Sequence, residues 1–555
     1  MSQLHLPIFK SPLEAITPYS STDKVEPGEI NREIDEFMNE PVFKHYEEST
    51  NLQLFFDLFF VANLASFNDK HEVNSQASLG TYVGFFCVLW FTWCQVTLCD
   101  VRFITDSVSE RLAHACHFGV MVGLAVVGPQ FSELDHDTPW GLMRKLSIVL
   151  IVSRTVLIFQ YGTVLVFVWK YKKSRLPLIT TMLTLLVAVS VYVAIYIALV
   201  YQTSPLLYIG WYMVFVFEAV SSIAIAARWQ VLSFEGTHLI ERMSCLSLII
   251  LGEGVIGVCK SIVKIEKYDN TFSSAAIGGI TCSVLIIYLV YILYFDNIHE
   301  GKSTSIRQHI WACLHFPFHV TLVLLTEGAS QFVAWRHTIE YVKDTFDGVD
   351  YLTIADAPNT TEAFAALSST MNTVIFDGLF PVSLHDAKVA ELDLQILGDN
   401  SSTPAQSSLA IGEIQVLLFR TVFDAYGFEP AKIPPAIGED SSADILAIYD
   451  AYLTVFKFLF GYFFTCGGLT LIWIGVLSWL SMSNLEYRAR WRFVAIATNI
   501  LLGVGLCLLT LLILTDAALT LGTSPWTITI CVFVFMIAII VDQVVKNKMH
   551  RFQGE

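Results

Sequence analysis

The chain has 555 residues, 54% of them hydrophobic and 15% charged, where soluble domains carry roughly 25% charged residues. That much apolar surface cannot be hidden in one water-soluble core, and a net charge of −17 leaves no basic face for a nucleic acid. The eleven cysteines fall in or beside apolar stretches with no CxxC or Cys/His spacing, so they read as packing residues and neither a disulfide framework nor a metal site is expected.

Residues 1–50 form an acidic, polar tail, expected to be partly disordered, without the charged-then-apolar start of a cleaved signal peptide. Apolar blocks of about 20 residues then follow, the length a helix needs to cross hydrocarbon about 30 Å thick. Lipid offers backbone groups no other partners, so each block reads as a helix. Twelve spans are expected near 51–67, 80–100, 112–131, 146–169, 177–201, 207–227, 239–260, 274–296, 309–333, 451–480, 493–520 and 524–545. The first is short and contains Asp57. The fold class is therefore an all-α polytopic membrane protein: a nine-helix region within 51–335, a polar insertion over 336–447 with room for short surface helices, three more membrane helices within 448–545, and a basic tail over 546–555.

Charge orients these spans. With an even number of crossings, one face carries both termini together with Lys170, Lys172, Lys173 and Arg175, then Arg488, Arg490 and Arg492, then Lys546, Lys548 and Arg551. Positive residues stay cytoplasmic, so both termini are expected inside and 336–447 outside, although 260–273 on that outer face holds three lysines. The sequons at Asn359 and Asn400 then lie where glycosylation happens. A gapless shift of 196 residues sets Asp57 on Glu253 and Asp100 on Asp296, which suggests two parallel six-helix halves, a plan common in transport proteins.

The stretch Leu54-Phe55-Phe56-Asp57-Leu58-Phe59-Phe60-Val61 resembles the Phe-Phe-Asp-Leu signature of the low temperature requirement A (LtrA) family. The resemblance continues through Trp90, Trp93, Arg102-Phe103-Ile104-Thr105-Asp106, His238-Leu239-Ile240-Glu241-Arg242, Ile249-Ile250-Leu251-Gly252-Glu253, Tyr294-Phe295-Asp296, His315-Phe316-Pro317 and Glu327-Gly328. It covers residues 50–330, with Gln53 where members often carry Glu, and the insertion resembles a eukaryotic, fungal branch. It implies a membrane protein with a link to growth in the cold, but no substrate or catalytic set. The Phe-Phe-Asp-Leu-Phe-Phe-Val stretch is also similar to the Phe-Ser-Asp motif that opens each half of a family of endolysosomal potassium channels; here the second half offers only Glu253.

Ionisable groups inside spans cost roughly 2.5–3.5 kcal/mol at mid-helix and mark functional sites or buried partners. The inventory is Asp57, Arg154, Glu218, Glu253 and Asp516, with His117 and His315 as titratable neighbours and Asp100 and Asp296 at span ends. Asp57 and Glu253 read as symmetric acids of a cation or proton path; the plainer alternative makes Asp57 an anchor salt-bridged to Arg154 or Arg242. Glu218 is expected against Arg154, and Glu241-Arg242 as an interfacial pair. Pro317 is expected to kink its helix and free a carbonyl near His315. No phosphate loop, dinucleotide fingerprint, HExxH or nucleophile elbow occurs, so no cofactor is expected and an enzyme is disfavoured. The leading expectation is a secondary transporter or ion-conducting protein whose partners are the lipid bilayer and a small ion or molecule, in the plasma membrane or an endomembrane, with a homo-oligomer as one form of assembly. The alternative is a membrane-embedded sensor or scaffold.

Overall fold

A computed structural model describes residues 6–13, 43–44, 48–131, 140–201, 205–229, 232, 234, 237–268, 272–298, 305–347, 361–376, 380–399, 403–430, 441–482, 490–515 and 517–553. Among these residues the regular elements are all helical, and β pairing is confined to an isolated bridge between Leu13 and Phe43. The α-helices are α1 (Asn51–Asn68), α2 (Gln76–Phe103), α3 (Val108–Val127), α4 (Trp140–Val168), α5 (Lys172–Tyr201), α6 (Ile209–Arg228), α7 (Leu239–Tyr268), α8 (Ser274–Phe295), α9 (Ser305–Asp347), α10 (Thr361–Met371), α11 (Leu384–Gly398), α12 (Pro404–Ala425), α13 (Ser441–Ser481), α14 (Arg490–Leu509), α15 (Ala517–Gly522) and α16 (Trp526–Gln553).

Eleven of them, α2 to α9, α13, α14 and α16, are long and apolar enough to cross a membrane. The first expected span, α1, is not in that set, because Gln53, Asp57, Asn63 and Asn68 dilute its 18 residues. It begins at a capping box in which the Thr50 and Gln53 side chains satisfy each other's backbone N–H groups. Its length is about 27 Å at 1.5 Å per residue, and it lies along α7. Gln53 meets His238, Asp57 meets Arg242 and Asn68 meets Glu253, each pair separated by 185 residues, so the two helices run parallel. On the other side of α1, Leu54, Phe55 and Leu58 are exposed, an apolar stripe suited to lipid. The wider bundle shares this arrangement: Asp57, Arg154 and Arg242 are buried while Leu183, Leu186 and Ile197 of α5 are exposed.

Helix ends sort onto two faces. Arg102 with His309 and Asp296 with Lys546 lie on one face, where Val108 and Ser109 also donate backbone hydrogen bonds to the Pro7 and Ile8 carbonyls of the N-terminal tail. Lys264 with Glu72 and Ser273 with Glu340 lie on the other. The packing order repeats. In the first half α1 packs on α2 and α3, α3 on α4, α4 on α5, α5 on α6, and α6 on α2. In the second, α7 packs on α8 and α9, α9 on α13, α13 on α14, α14 on α16, and α16 on α8. These are two six-helix halves of one orientation. The gapless shift of 196 does not describe their contact: at a separation of 185, Asp57 faces Arg242 rather than Glu253.

Three expected spans differ in extent. α9 continues unbroken from Ser305 to Asp347 and accommodates Pro317 within the helix, and α13 starts at Ser441 rather than near 451. Both therefore project beyond the bundle to carry the insertion. The eleventh span is divided, with α14 ending at Leu509 in a 3₁₀ turn over Thr510–Leu514 before α15. At the α13–α14 crossing Gly468 and Gly503 face each other, and a Cβ on either would strike the other's carbonyl.

The insertion folds as α10, α11 and α12, with Phe423 and Phe428 packed edge-on against Trp335 of α9 at 5.2 and 5.0 Å. Asn359 and Asn400, the two sequon asparagines, and Asp516 lie outside the described residues. Asp393 of α11 is buried and faces Glu413 of α12. Burial, reinforced by the Glu413 carboxylate, pushes Asp393 up to about 7. Its unfolded value is about 3.9, so the folded insertion binds this proton more tightly. The resulting stability is full below pH 4 and is lost as pH rises through about 7. Protease resistance of the insertion should accordingly fall between pH 4.5 and 7.5 in the wild type, and Asp393→Asn should flatten that fall.

Candidate functional site

A cavity of about 110 Å³ opens where the end of α1, the following loop, α7, α9 and the insertion converge. Four carboxylates line it, Asp69, Glu72, Glu253 and Glu327, against two lysines, Lys260 and Lys264. Lys260 pairs with Asp69 and Lys264 with Glu72, both at 2.6 Å. Burial raises the Glu72 carboxyl above its ordinary range, and Lys264 acts the other way. Among the described residues Glu253 and Glu327 form no ion pair. Glu253 Oε1 accepts only the Asn68 amide, at 3.2 Å, and its Oε2 is buried without a partner among the described residues. Glu327 accepts from Gln331 at 3.1 Å, and Gln331 in turn accepts from the Tyr462 hydroxyl at 2.6 Å.

Glycine makes this geometry possible at two places. A Cβ at Gly254, next to Glu253, would press into Thr326, next to Glu327, at 2.7 Å; the bare backbone lets α7 and α9 bring their acids to one cavity. The roof is the insertion's turn at Gly427, whose φ of 91° suits glycine alone. Asn74 donates to the Gly427 carbonyl at 2.7 Å, and Lys264 to the Tyr426 carbonyl at 3.5 Å.

Asp57 lies elsewhere. Arg242 grips it with two hydrogen bonds, of 2.7 and 2.8 Å, and the Trp93 indole N–H donates to it at 2.7 Å. All three side chains are fully buried. Eleven residues separate Asp57 from Asn68 along α1, about 16 Å of helix, so Asp57 and Glu253 are not joined in one site. Between them stands an aromatic layer drawn from α1, α2 and α9: Phe60 against Phe86 at 6.0 Å and Trp93 at 6.1 Å, and Phe316 against Trp90 at 5.3 Å.

The remaining sequence candidates separate. Arg154 and Glu218 pair as expected, through two hydrogen bonds of 2.9 Å. His315 belongs to a packed network, with Nδ1 on the Trp311 carbonyl at 2.8 Å and Nε2 on the Tyr294 hydroxyl at 2.9 Å. His117 bonds Gln160 at 2.8 Å. Asp296 sits at the surface with Gln543 and Lys546, whereas Asp100 is buried beside His114, so the two are not equivalent. Sequence reasoning missed Glu327 as a site residue. The signal is a carboxylate within an otherwise apolar window of the ninth span, which the Glu327-Gly328 motif resemblance alone does not bring out.

A guanidinium cannot lose its proton, whereas a carboxylate can take one up. Glu218→Gln, which strands Arg154, should therefore destabilise more than Arg154→Met, by about 3–5 kcal/mol against wild type in detergent unfolding. Asp57→Asn should show a loss of the same order by stranding Arg242. Glu253→Gln, which removes a charge without a counter-ion, should leave the melting temperature near wild type.

A family profile described as bacterial low temperature requirement A protein (LtrA) matches residues 48–366, from the start of α1 to the first helix of the insertion. No curated protein matches the chain, and no solved structure does. The match spans more than half of the chain, including both sides of the cavity and the Asp57–Arg242 pair; the chain belongs to the LtrA family.

Proposed function

We propose that this protein is a secondary transporter or ion-conducting protein for a small cation, and that Glu253 and Glu327 form its entry site. The observation that carries this reading is the cavity, where two of four carboxylates form no ion pair among the described residues of a bundle of membrane-spanning helices. Retaining an unpaired carboxylate at that depth is costly unless a cation visits it. The aromatic layer below would act as the closed gate, since apolar constrictions block ions by excluding water. Asp57 and Arg242 would lock the two halves together beneath it. By the distribution of basic residues, the tail face is cytoplasmic and the cavity opens outward, with 336–447 on the same side as potential glycosylation at Asn359 and Asn400. No enzymatic role, cofactor or nucleic-acid partner is part of this reading.

A second reading, a sensor without transport, draws on the insertion's turn, which closes directly over the cavity. In that case the insertion would read an outside signal and the cavity would serve as its seat.

Flux of H⁺, K⁺ and Na⁺ into proteoliposomes tests the proposal. Glu253→Gln and Glu327→Gln should each reduce flux about tenfold or more, the effect of losing about 1.4 kcal/mol at the rate-limiting step. Equal flux in well-folded variants would remove both acids from the path. Deleting the insertion should leave flux in a transporter and abolish signalling in a sensor.

A further inference from the structure

On the opposite face, a cluster outside the proposed path brings together Asp100, Glu110 and His114. Asp100 lies in the last turn of α2, and Glu110 and His114 lie four residues apart on one side of the start of α3. The short connection through Ile104–Ser107 folds α3 back so that one donor atom from each residue falls within 4.8 Å of the others. We propose that these three residues bind a first-row divalent cation of the Mn²⁺ to Zn²⁺ type.

His114 Nδ1 is 3.0 Å from the Glu110 backbone carbonyl, so it carries the proton and donates. Its Nε2 is 3.2 Å from Asp100 Oδ2. A neutral ring would then direct a lone pair at a carboxylate, which requires a positive charge between them. A proton could bridge those two atoms, but three donors converge here, and the other Asp100 oxygen is buried with no partner among the described residues. Ligand atoms bound about 2.0–2.2 Å from one ion sit about 3.0–3.5 Å apart; the Asp100–His114 distance satisfies this, and the Glu110 carboxylate, 3.9 Å from the nearer imidazole nitrogen, would move in to complete the set. A ligating histidine held by its second nitrogen on a backbone carbonyl is the usual outer-shell arrangement.

The charges point the same way. Among the described residues no lysine or arginine pairs with Asp100 or Glu110. The nearest candidate, Arg102, is engaged with His309 at 2.9 Å and lies over the Phe234 ring at 4.1 Å, while Arg111 turns outward to Asp106. The Gln160 amide holds the Glu110 carboxylate at 2.6 Å. The Glu110 side chain is 15% exposed and offers the way in, while His114 is fully enclosed. One nitrogen and carboxylate oxygens favour Mn²⁺, Fe²⁺ or Zn²⁺ over Mg²⁺ and Ca²⁺, which prefer all-oxygen sites. The ion would pin the end of α2 to the start of α3.

The test uses the full chain, purified in detergent with a tag that contains no histidine, stripped with a chelator, and titrated with Zn²⁺, Mn²⁺ or Mg²⁺. Elemental analysis after gel filtration should find about one Zn²⁺ or Mn²⁺ per chain, a higher melting temperature than the stripped protein, and weaker retention of Mg²⁺. His114→Gln and Asp100→Asn should each weaken binding about tenfold or more; His114→Gln can keep a donor to the Glu110 carbonyl and so carries the test should Asp100→Asn not fold. Metal content that is equal in wild type and His114→Gln, or absent from both, would overturn the proposal. The readout is independent of flux, so it stands or falls apart from the transport reading.

Discussion

A guanidinium retains its proton even in hydrocarbon, so Arg242 and Arg154, both fully buried, dictate where a carboxylate must be. Arg242 holds Asp57 and Arg154 holds Glu218, each by two hydrogen bonds with both side chains out of contact with solvent. The first pair joins the opening helices of the two halves, and the second ties α4 to α6 within the first half. Such pairs are weak arguments for net stability, because desolvating two charges offsets much of their attraction. Their force lies in specificity. A shift of one residue along α1 would turn Asp57 away and leave a stranded charge, so the parallel register of α1 and α7 is held by electrostatics as much as by packing.

α1 shows how this constraint shapes an element. By composition it falls short of a membrane span, since polar side chains, among them Gln53, Asp57, Asn63 and Asn68, interrupt its 18 residues. Those polar groups face inward, to His238, Arg242, the Met121 carbonyl and Glu253, while Leu54, Phe55 and Leu58 face out. The helix turns its polar groups, together with Phe56, Phe60, Leu64 and Phe67, toward protein and an apolar stripe toward lipid, unlike a soluble amphipathic helix, whose polar face meets water. Aromatic rings from three helices then seal the interior between the Asp57 pair and the Glu253 cavity.

The two faces of the bundle carry different chemistry. The face that bears the insertion gathers carboxylates and lysines around a cavity, and Gly427 is what lets the insertion close over it. The tail face gathers a histidine and two carboxylates at the α2–α3 turn, with no lysine or arginine paired to them among the described residues. The Asp100–Glu110–His114 cluster lies at helix ends, where the cost of charge is lowest, whereas Glu253 and Glu327 sit within the lengths of α7 and α9 and are reached through the cavity.

Much of this molecule is legible in the residues alone. Blocks of about 20 apolar residues require helices because lipid cannot satisfy backbone groups, and Glu218 calls for Arg154 because each is too costly alone. The inward placement of Asp57 follows from the same rule, and Arg242 was one of the two partners it allowed. What the sequence could not supply was depth and neighbourhood. An ungapped shift aligned Asp57 with Glu253, but packing set them about 16 Å apart along α1, because a helix register is decided by which side chains interlock. Glu327 became a site residue only once Gly254 let α9 approach α7. Asp100, Glu110 and His114 carry no motif spacing, since their convergence depends on a tight turn between two helices. Local periodicity determined the elements; the choice of partner for each buried charge was left to the tertiary structure, because it depends on distances that no single helix contains.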